Sequence, residues 1–412
     1  MCREPTSHAR SAVIAAMIAI PTFLAAGCGA PARPVLTHEE FLALAQVERR
    51  TLIETISAAN DRMLDRVERR AAASSDGTTT VNILALSGGG SNGAFGAGVL
   101  VGWGRVTDPE WARPDFDVVT GVSTGAQIAP FAFIGTDERY QEVEDFYRNP
   151  KKDWIRERGL LFFLPSNPSF ATIPGLSRDV RNAVDREFIE QIAARSSEGK
   201  LLVISATDLD FGRQQVWDVG LEAEYAVQND DLERVPTIML ASAAIPVAFP
   251  PIEIDESIYA DGGVTANVFV RLDPRNPEAF IPKWRAANPG KPLPRIRYWI
   301  IVNNSLAHIP KTVQERWPDI ASPSLEISVR SATVAEINWL AAEADFVNAA
   351  YGADIEVRVI AIPGDWRPPV TGSFKKETMD SLADLGEKLG ADPASWQVWA
   401  SPDDLPTPGA NR

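Results

Sequence analysis

Three glycine-flanked segments of the sequence carry residues that could do chemistry. Gly121-Val122-Ser123-Thr124-Gly125 places a hydroxyl between two glycines. On a sharp strand-to-helix turn such a serine stands clear of its neighbours as a nucleophile, because the flanking glycines relieve crowding. Ser87-Gly88-Gly89-Gly90-Ser91-Asn92-Gly93 is a run whose backbone amides can turn toward one point, since no Cβ blocks the approach. At a helix N-terminus those amides hold an anion. The anion is either a dinucleotide phosphate, because Gly88-x-Gly90-x-x-Gly93 fits that fingerprint, or the developing oxyanion of acyl transfer. Tyr259-Ala260-Asp261-Gly262-Gly263 sets a carboxylate ahead of two glycines; taken alone, Asp-Gly is more often a plain turn than a site.

The elements that must position these residues alternate along the chain. Residues 81–86 (VNILAL) and 116–120 (FDVVT) read as buried strands leading into the glycine run and the serine turn. Residues 95–103 and 125–134 can be the helices behind them. Residues 201–207 (LLVISAT), 297–302 (RYWIIV) and 357–362 (VRVIAI) are further apolar strands. Continuous apolar strands separated by helices predict a mostly parallel sheet covered on both faces. Upstream, Thr37-His38-Glu39-Glu40 has capping-box spacing, and Leu52, Ile56, Ala59, Met63 and Val67 recur at helical steps. This predicts an amphipathic spacer helix lying on the main domain. The expected organisation is a signal segment at 1–27, tether and helix at 28–80, a catalytic domain at 81–392 and a loose tail at 393–412.

The 412-residue chain carries a formal net charge of −15, which repels polyanions and argues against nucleic-acid partners. Arg3 and Arg10 precede an apolar run at 11–26 that is interrupted by Pro21 and is too short to span a bilayer. Its ending, Leu24-Ala25-Ala26-Gly27-Cys28, resembles the lipobox of bacterial lipoproteins. That resemblance implies cleavage before Cys28, lipidation of its sulfur, and an anchor in the cell envelope. Gly29 directs the expectation to the outer membrane. The only cysteines are Cys2 and Cys28, so a mature chain treated this way keeps neither a free thiol nor a disulfide. Nothing in the sequence sets an oligomeric state.

Taken together, the glycine run, the Ser123 turn and the Asp261 turn, in that order, resemble the patatin-like phospholipase family. Ala206-Thr207-Asp208-Leu209 with Gly212-Arg213 supports the resemblance. So does Ala241-Ser242-Ala243-Ala244-Ile245-Pro246, followed by Phe249-Pro250-Pro251. The likeness runs over about 81–264 and more loosely to 390. It implies a three-layer α/β/α fold and hydrolysis of lipid or other acyl esters, as by a phospholipase A or lysophospholipase. It further implies that Ser123 attacks the ester carbonyl and Asp261 takes its proton, with no histidine, metal or cofactor in acylation. The amides of Gly88, Gly89 and Gly90 would hold the oxyanion, while Gly93, Gly121, Gly125, Gly262 and Gly263 shape the turns. Asn92 departs from the family, many of whose members have Arg or Lys there, and removes a positive charge from the loop.

Rival readings exist. With three histidines in the chain, Ser123, Asp261 and His308 follow the chain order of an α/β-hydrolase triad. A dinucleotide oxidoreductase would need an acidic residue about 20 positions after the glycines, where Glu110, Asp115 and Asp117 are the candidates. An inert lipid-binding envelope protein on the same fold is the non-enzymatic rival. Asp208 and Asp210 form a carboxylate pair better read as structural, near the floor of the site. Trp154 and the run at 160–164 (LLFFL) are read as core, or as a lid over an acyl-chain groove.

Overall fold

In β1 (Thr80–Leu86) successive side chains point to opposite faces of a sheet, and both faces are apolar. Leu84 and Leu86 enter one hydrophobic core, while Val81, Ile83 and Ala85 enter a second. β9 (Arg295–Val302) divides in the same way, with Trp299 and Ile301 on the first face and Ile296, Tyr298, Ile300 and Val302 on the second. A strand apolar on both sides has to sit in the middle layer of three, and the computed structural model shows that arrangement. It describes residue 33 and residues 37–75, 77–159, 167–307, 310 and 312–399.

Nine strands form the central sheet. Its middle is parallel, in the order β10 (Ile355–Ala361), β9, β1, β2 (Val118–Val122) and β5 (Leu201–Asp208). The first face is covered by α2 (Gly93–Trp103), α3 (Thr124–Ile134), α4 (Asp137–Arg148) and α11 (Lys376–Gly390), among others. The second face is covered by α1 (His38–Ala73), α9 (Phe280–Ala287) and α10 (Trp317–Tyr351). This is a three-layer α/β/α fold on a mostly parallel sheet. Among the described residues no helix is long and apolar enough to cross a membrane.

Glycine-rich α2 is a poor helix by propensity. Tertiary contact explains it: a Cβ at Gly98 would collide with the backbone of Ala383 in α11. α1 begins with the capping box at Thr37 and Glu40, and buries Met63, Val67 and Ala71. Its inner end is also tied down by charge. The fully buried carboxylate of Asp117 accepts from Arg66 Nε at 3.0 Å, from Arg70 Nη1 at 2.6 Å and from the Asn82 amide at 3.0 Å.

The antiparallel strands differ most from expectation. β5 pairs along one side with β6 (Arg213–Asp218), and on the other side with β2 over residues 201–205. Beyond the end of β2, that same side of β5 pairs antiparallel with β8 (Ser257–Ala260), which forms a hairpin with β7 (Ile252–Ile254). β8 therefore runs back toward the carboxyl end of β2, and the two strand ends meet nearly head on. At the other sheet edge, the expected loose tail begins with an ordered stretch. β11 (Gln397–Val398) pairs antiparallel with β10, and Trp396 and Trp399 are buried, so residues 396–399 pack onto the sheet. Cys28, His308 and the run at 160–164 lie outside the described residues.

Removing one member of a buried ion cluster leaves desolvated charge without a partner. Asp117→Ala is expected to lower the unfolding free energy by about 3 kcal/mol in chemical denaturation. An unchanged denaturation midpoint would show that α1 does not depend on this carboxylate.

Candidate active site

The turn after β2 is built by close backbone approach. A Cβ on Gly121 would lie 2.5 Å from the Gly125 carbonyl oxygen, so α3 can cross tightly over the strand end only with glycine at this position. Between them Ser123 has φ 53° and ψ −120°, a conformation strained for a side-chain-bearing residue. Its amide donates to Ser242 Oγ at 2.8 Å, and the Ser242 hydroxyl donates to the Ser205 carbonyl at 2.6 Å. A buried hydroxyl on α8 (Arg234–Ser242) thus braces the strained turn against β5.

Asp261 follows β8 directly. Its amide donates to the Ala244 carbonyl at 2.8 Å, and its carbonyl accepts from Thr207 Oγ1 at 2.9 Å. Its Oδ1 accepts the Gly263 amide at 2.8 Å, and Ser123 Oγ donates to its Oδ2 at 2.6 Å. Hydroxyl and carboxylate are both almost wholly buried, with relative exposures of 5% and 7%. Burial pushes the carboxyl pKa up to about 6, and the two hydrogen bonds hold it from rising further.

The glycine run closes the site on the side of β1. Buried Asn303, just past β9, fastens it. The Asn303 amide donates to Ser87 Oγ at 2.9 Å, its Nδ2 donates to the Ser87 carbonyl at 2.8 Å, and its Oδ1 accepts the Gly96 amide at 3.0 Å. The Gly88 amide donates to the Asn267 carbonyl at 3.3 Å, so it is already committed and does not serve as a free anion donor. Among the described residues, no hydrogen bond uses the amide of Gly89 or Gly90. Asn92 donates through Nδ2 to Asn304 Oδ1 at 3.2 Å. Asn267 is itself held by α10. Its Nδ2 donates to Thr333 Oγ1 at 2.7 Å, and Glu336 accepts its amide at 3.2 Å and that of Val268 at 2.8 Å. Burial raises the Glu336 carboxyl to about 7.

Ser123, Asp261, Gly88, Gly89, Gly90, Asn92 and Gly263 all line one cleft of about 1550 Å³. Gly93 packs beneath Thr124 and Tyr147, and Gly262 against the Ser205 carbonyl and Val122. Trp154 is buried in the cleft wall, donates from Nε1 to Asp179 Oδ2 at 2.7 Å and stacks on Phe146. The remaining acidic candidates have structural employment. Glu110 pairs with Arg358, Asp115 with Lys200 and Arg195, and Asp210 with Arg33. Asp208 Oδ1 accepts the amides of Asp210 and Phe211 at 3.0 and 3.1 Å and so closes the turn after β5. Among the described residues no three His, Cys, Asp or Glu side chains converge as a metal site.

Ser242, Asn267, Asn303 and Glu336 were not singled out as functional residues in the sequence. Ser242 lies within a quoted segment and Asn303 follows an apolar strand at once, so both had a positional signal. Asn267 and Glu336 had none, because their pairing depends on how α10 docks.

A serine hydroxyl thus donates to a buried carboxylate at a strand-helix turn, in a cleft also lined by two glycines whose amides make no hydrogen bond among the described residues. Residues 84–273 match the patatin-like phospholipase family profile, a stretch that includes Ser123, Asp261 and the glycine run. The chain is 28% identical over 195 residues to a cGAMP-activated phospholipase of Pseudomonas aeruginosa, covering 46% of this chain and 55% of that protein. It is 26% identical over 208 residues to the protein of that description from Vibrio cholerae, covering 45% and 55%. The chain thus spans about half the length of the curated relatives it matches. Among solved structures it is similar to VipD from Legionella pneumophila, with a TM-score of 0.34 and 10% identity over 79% of this chain and 70% of that one. The profile match and the relatives support the patatin-like phospholipase family; the structural likeness is too loose to add to them.

A folded-state pKa of about 6 against an ordinary 3.8 means the native chain binds the Asp261 proton more tightly than the unfolded chain does. The contribution of Asp261 to stability therefore falls as pH rises from about 4 to about 6 and is constant above that. Asp261→Asn removes the penalty, and is expected to stabilise the protein by on the order of 2 kcal/mol at pH 8. The gain should vanish below about pH 4. Denaturation of both proteins across this range checks the sign, and an Asn variant less stable at pH 8 contradicts it.

Proposed function

We propose that this protein is a serine acyl hydrolase acting on carboxylic esters of lipids, through Ser123 and Asp261. The observation that carries the proposal is the 2.6 Å hydrogen bond from Ser123 Oγ to the buried, proton-avid carboxylate of Asp261. A carboxylate of ordinary acidity is a weak base near neutral pH, and one raised toward 6 is better matched to deprotonating an attacking hydroxyl. Ser123 Oγ bonds to the ester carbonyl carbon while its proton passes to Asp261. The carbonyl oxygen gains the electron pair and lies against the amides of Gly89 and Gly90. Collapse expels the alcohol, which takes the proton from Asp261 and leaves an acyl-serine. Water, deprotonated by the same carboxylate, then attacks the acyl carbon, and Asp261 returns that proton to Ser123 Oγ as the acyl–oxygen bond breaks and the fatty acid leaves. The apolar cleft wall, including Trp154, Ile245, Phe249 and Leu325, suits acyl chains. The lipobox-like sequence ending at Cys28 supports placement of the enzyme at the cell envelope on a lipid anchor, where it would meet its substrate in two dimensions.

A fluorophosphonate probe is expected to label the wild-type protein and not Ser123→Ala. Asp261→Asn should lower kcat/KM on a lipid ester by roughly 10²- to 10⁴-fold, the range of a general base. His308→Ala should retain activity, and its inactivation would replace the dyad by a triad. The wild-type kcat/KM should climb with pH to a plateau, with an acid limb centred near 6.

A further inference from the structure

The charge of the cleft wall runs against that of the chain. Acidic residues outnumber basic ones by 55 to 40 overall. The cleft reverses this, with Lys151, Lys152, Arg330, Lys375 and Lys376 against the carboxylates of Glu157, Asp261 and Glu326. Its four lysines come from two stretches more than two hundred positions apart, and specific contacts bring them to one wall. Trp154, two residues after Lys152, meets the ring of Phe374 edge-on with centroids 5.9 Å apart. Lys376 Nζ donates to the Arg148 carbonyl at 2.5 Å.

The lysines are not equivalent. Lys151 is held by Asp179 at 3.0 Å and Lys376 by Asp380 at 3.1 Å. Among the described residues no ion pair engages Lys152 or Lys375. Two exposed ammonium groups without carboxylate partners thus share the cleft that holds Ser123 and Asp261.

We propose that Lys152 and Lys375 form a subsite for a phosphate group, and that the ligand it takes is the phosphodiester of an anionic glycerophospholipid whose ester carbonyl lies at Ser123. This rests on the acyl-hydrolase function proposed above. Lysines act here as point charges that tolerate varied approach of the phosphate, rather than as a rigid fork. Being exposed, their attraction is screened and salt-dependent, which suits a substrate that has to leave after cleavage.

The test uses Ser123→Ala, so that binding is read without turnover, and two soluble lipids that differ in the phosphate headgroup, dihexanoyl phosphatidylglycerol and dihexanoylglycerol. Calorimetry is expected to show the phosphate-bearing lipid binding about tenfold more tightly, ~1.4 kcal/mol. Adding Lys152→Gln and Lys375→Gln should remove that preference without changing the thermal unfolding midpoint. Equal affinity for the two lipids, or a preference that survives both substitutions, overturns the subsite. Inorganic phosphate binding as tightly as the phospholipid would overturn its assignment to a lipid headgroup. Wild-type hydrolysis of p-nitrophenyl butyrate, measured separately, tests the hydrolase function itself. Its absence would sink that function while the binding result still decides the subsite.

Discussion

One short, largely buried hydrogen bond, from Ser123 to Asp261, constrains much of the rest of the chain. A carboxylate dislikes burial and a serine dislikes a positive φ, yet both conditions meet at one point. Neither is stable in isolation. The surrounding structure has to over-determine both, and it does so with backbone amides, a bracing hydroxyl and a large packed core on each face of the sheet.

The sheet topology explains how the two groups meet. A parallel strand can present only its carboxyl end to a site. β2 delivers Ser123 this way, and β8 delivers Asp261 from the opposite direction by running antiparallel beyond the end of β2. β5 is long enough to pair with both, so the distance between Ser123 and Asp261 is fixed by one continuous strand. The glycine run is fixed from the other side by Asn303 at the end of β9 and by Asn267 under α10. The docking of α10 therefore bears on the glycine run, although among the described residues no hydrogen bond links that helix to Ser123 or Asp261.

Much of the parallel sheet was legible because its strands are buried on both faces and read as unbroken apolar runs. The serine turn was legible because glycine is required on both sides of a crossing that tight. The predicted second strand covers 116–120 and the observed one Val118–Val122, because Gly121 lies inside the strand, where it admits α3. The short hairpin strands β7 and β8 were not legible: three or four residues cannot display a period, and their pairing is decided by β5. Gly88 looked equivalent to its two neighbours, and only the long-range bond to Asn267 separates it from them. Trp396 and Trp399 were passed over in a Pro- and Asp-rich stretch, although two tryptophans so near a chain end favour burial over a loose tail.

The most direct test of the central claim is the proton affinity of Asp261 itself. Carbon-13 NMR of the labelled carboxyl, assigned by its loss in Asp261→Asn, should titrate with a midpoint near pH 6 in the wild-type protein. A midpoint at the ordinary aspartate value near 4 would mean that the carboxylate is wetter and less basic than the geometry requires, and would contradict its assignment as the base that activates Ser123.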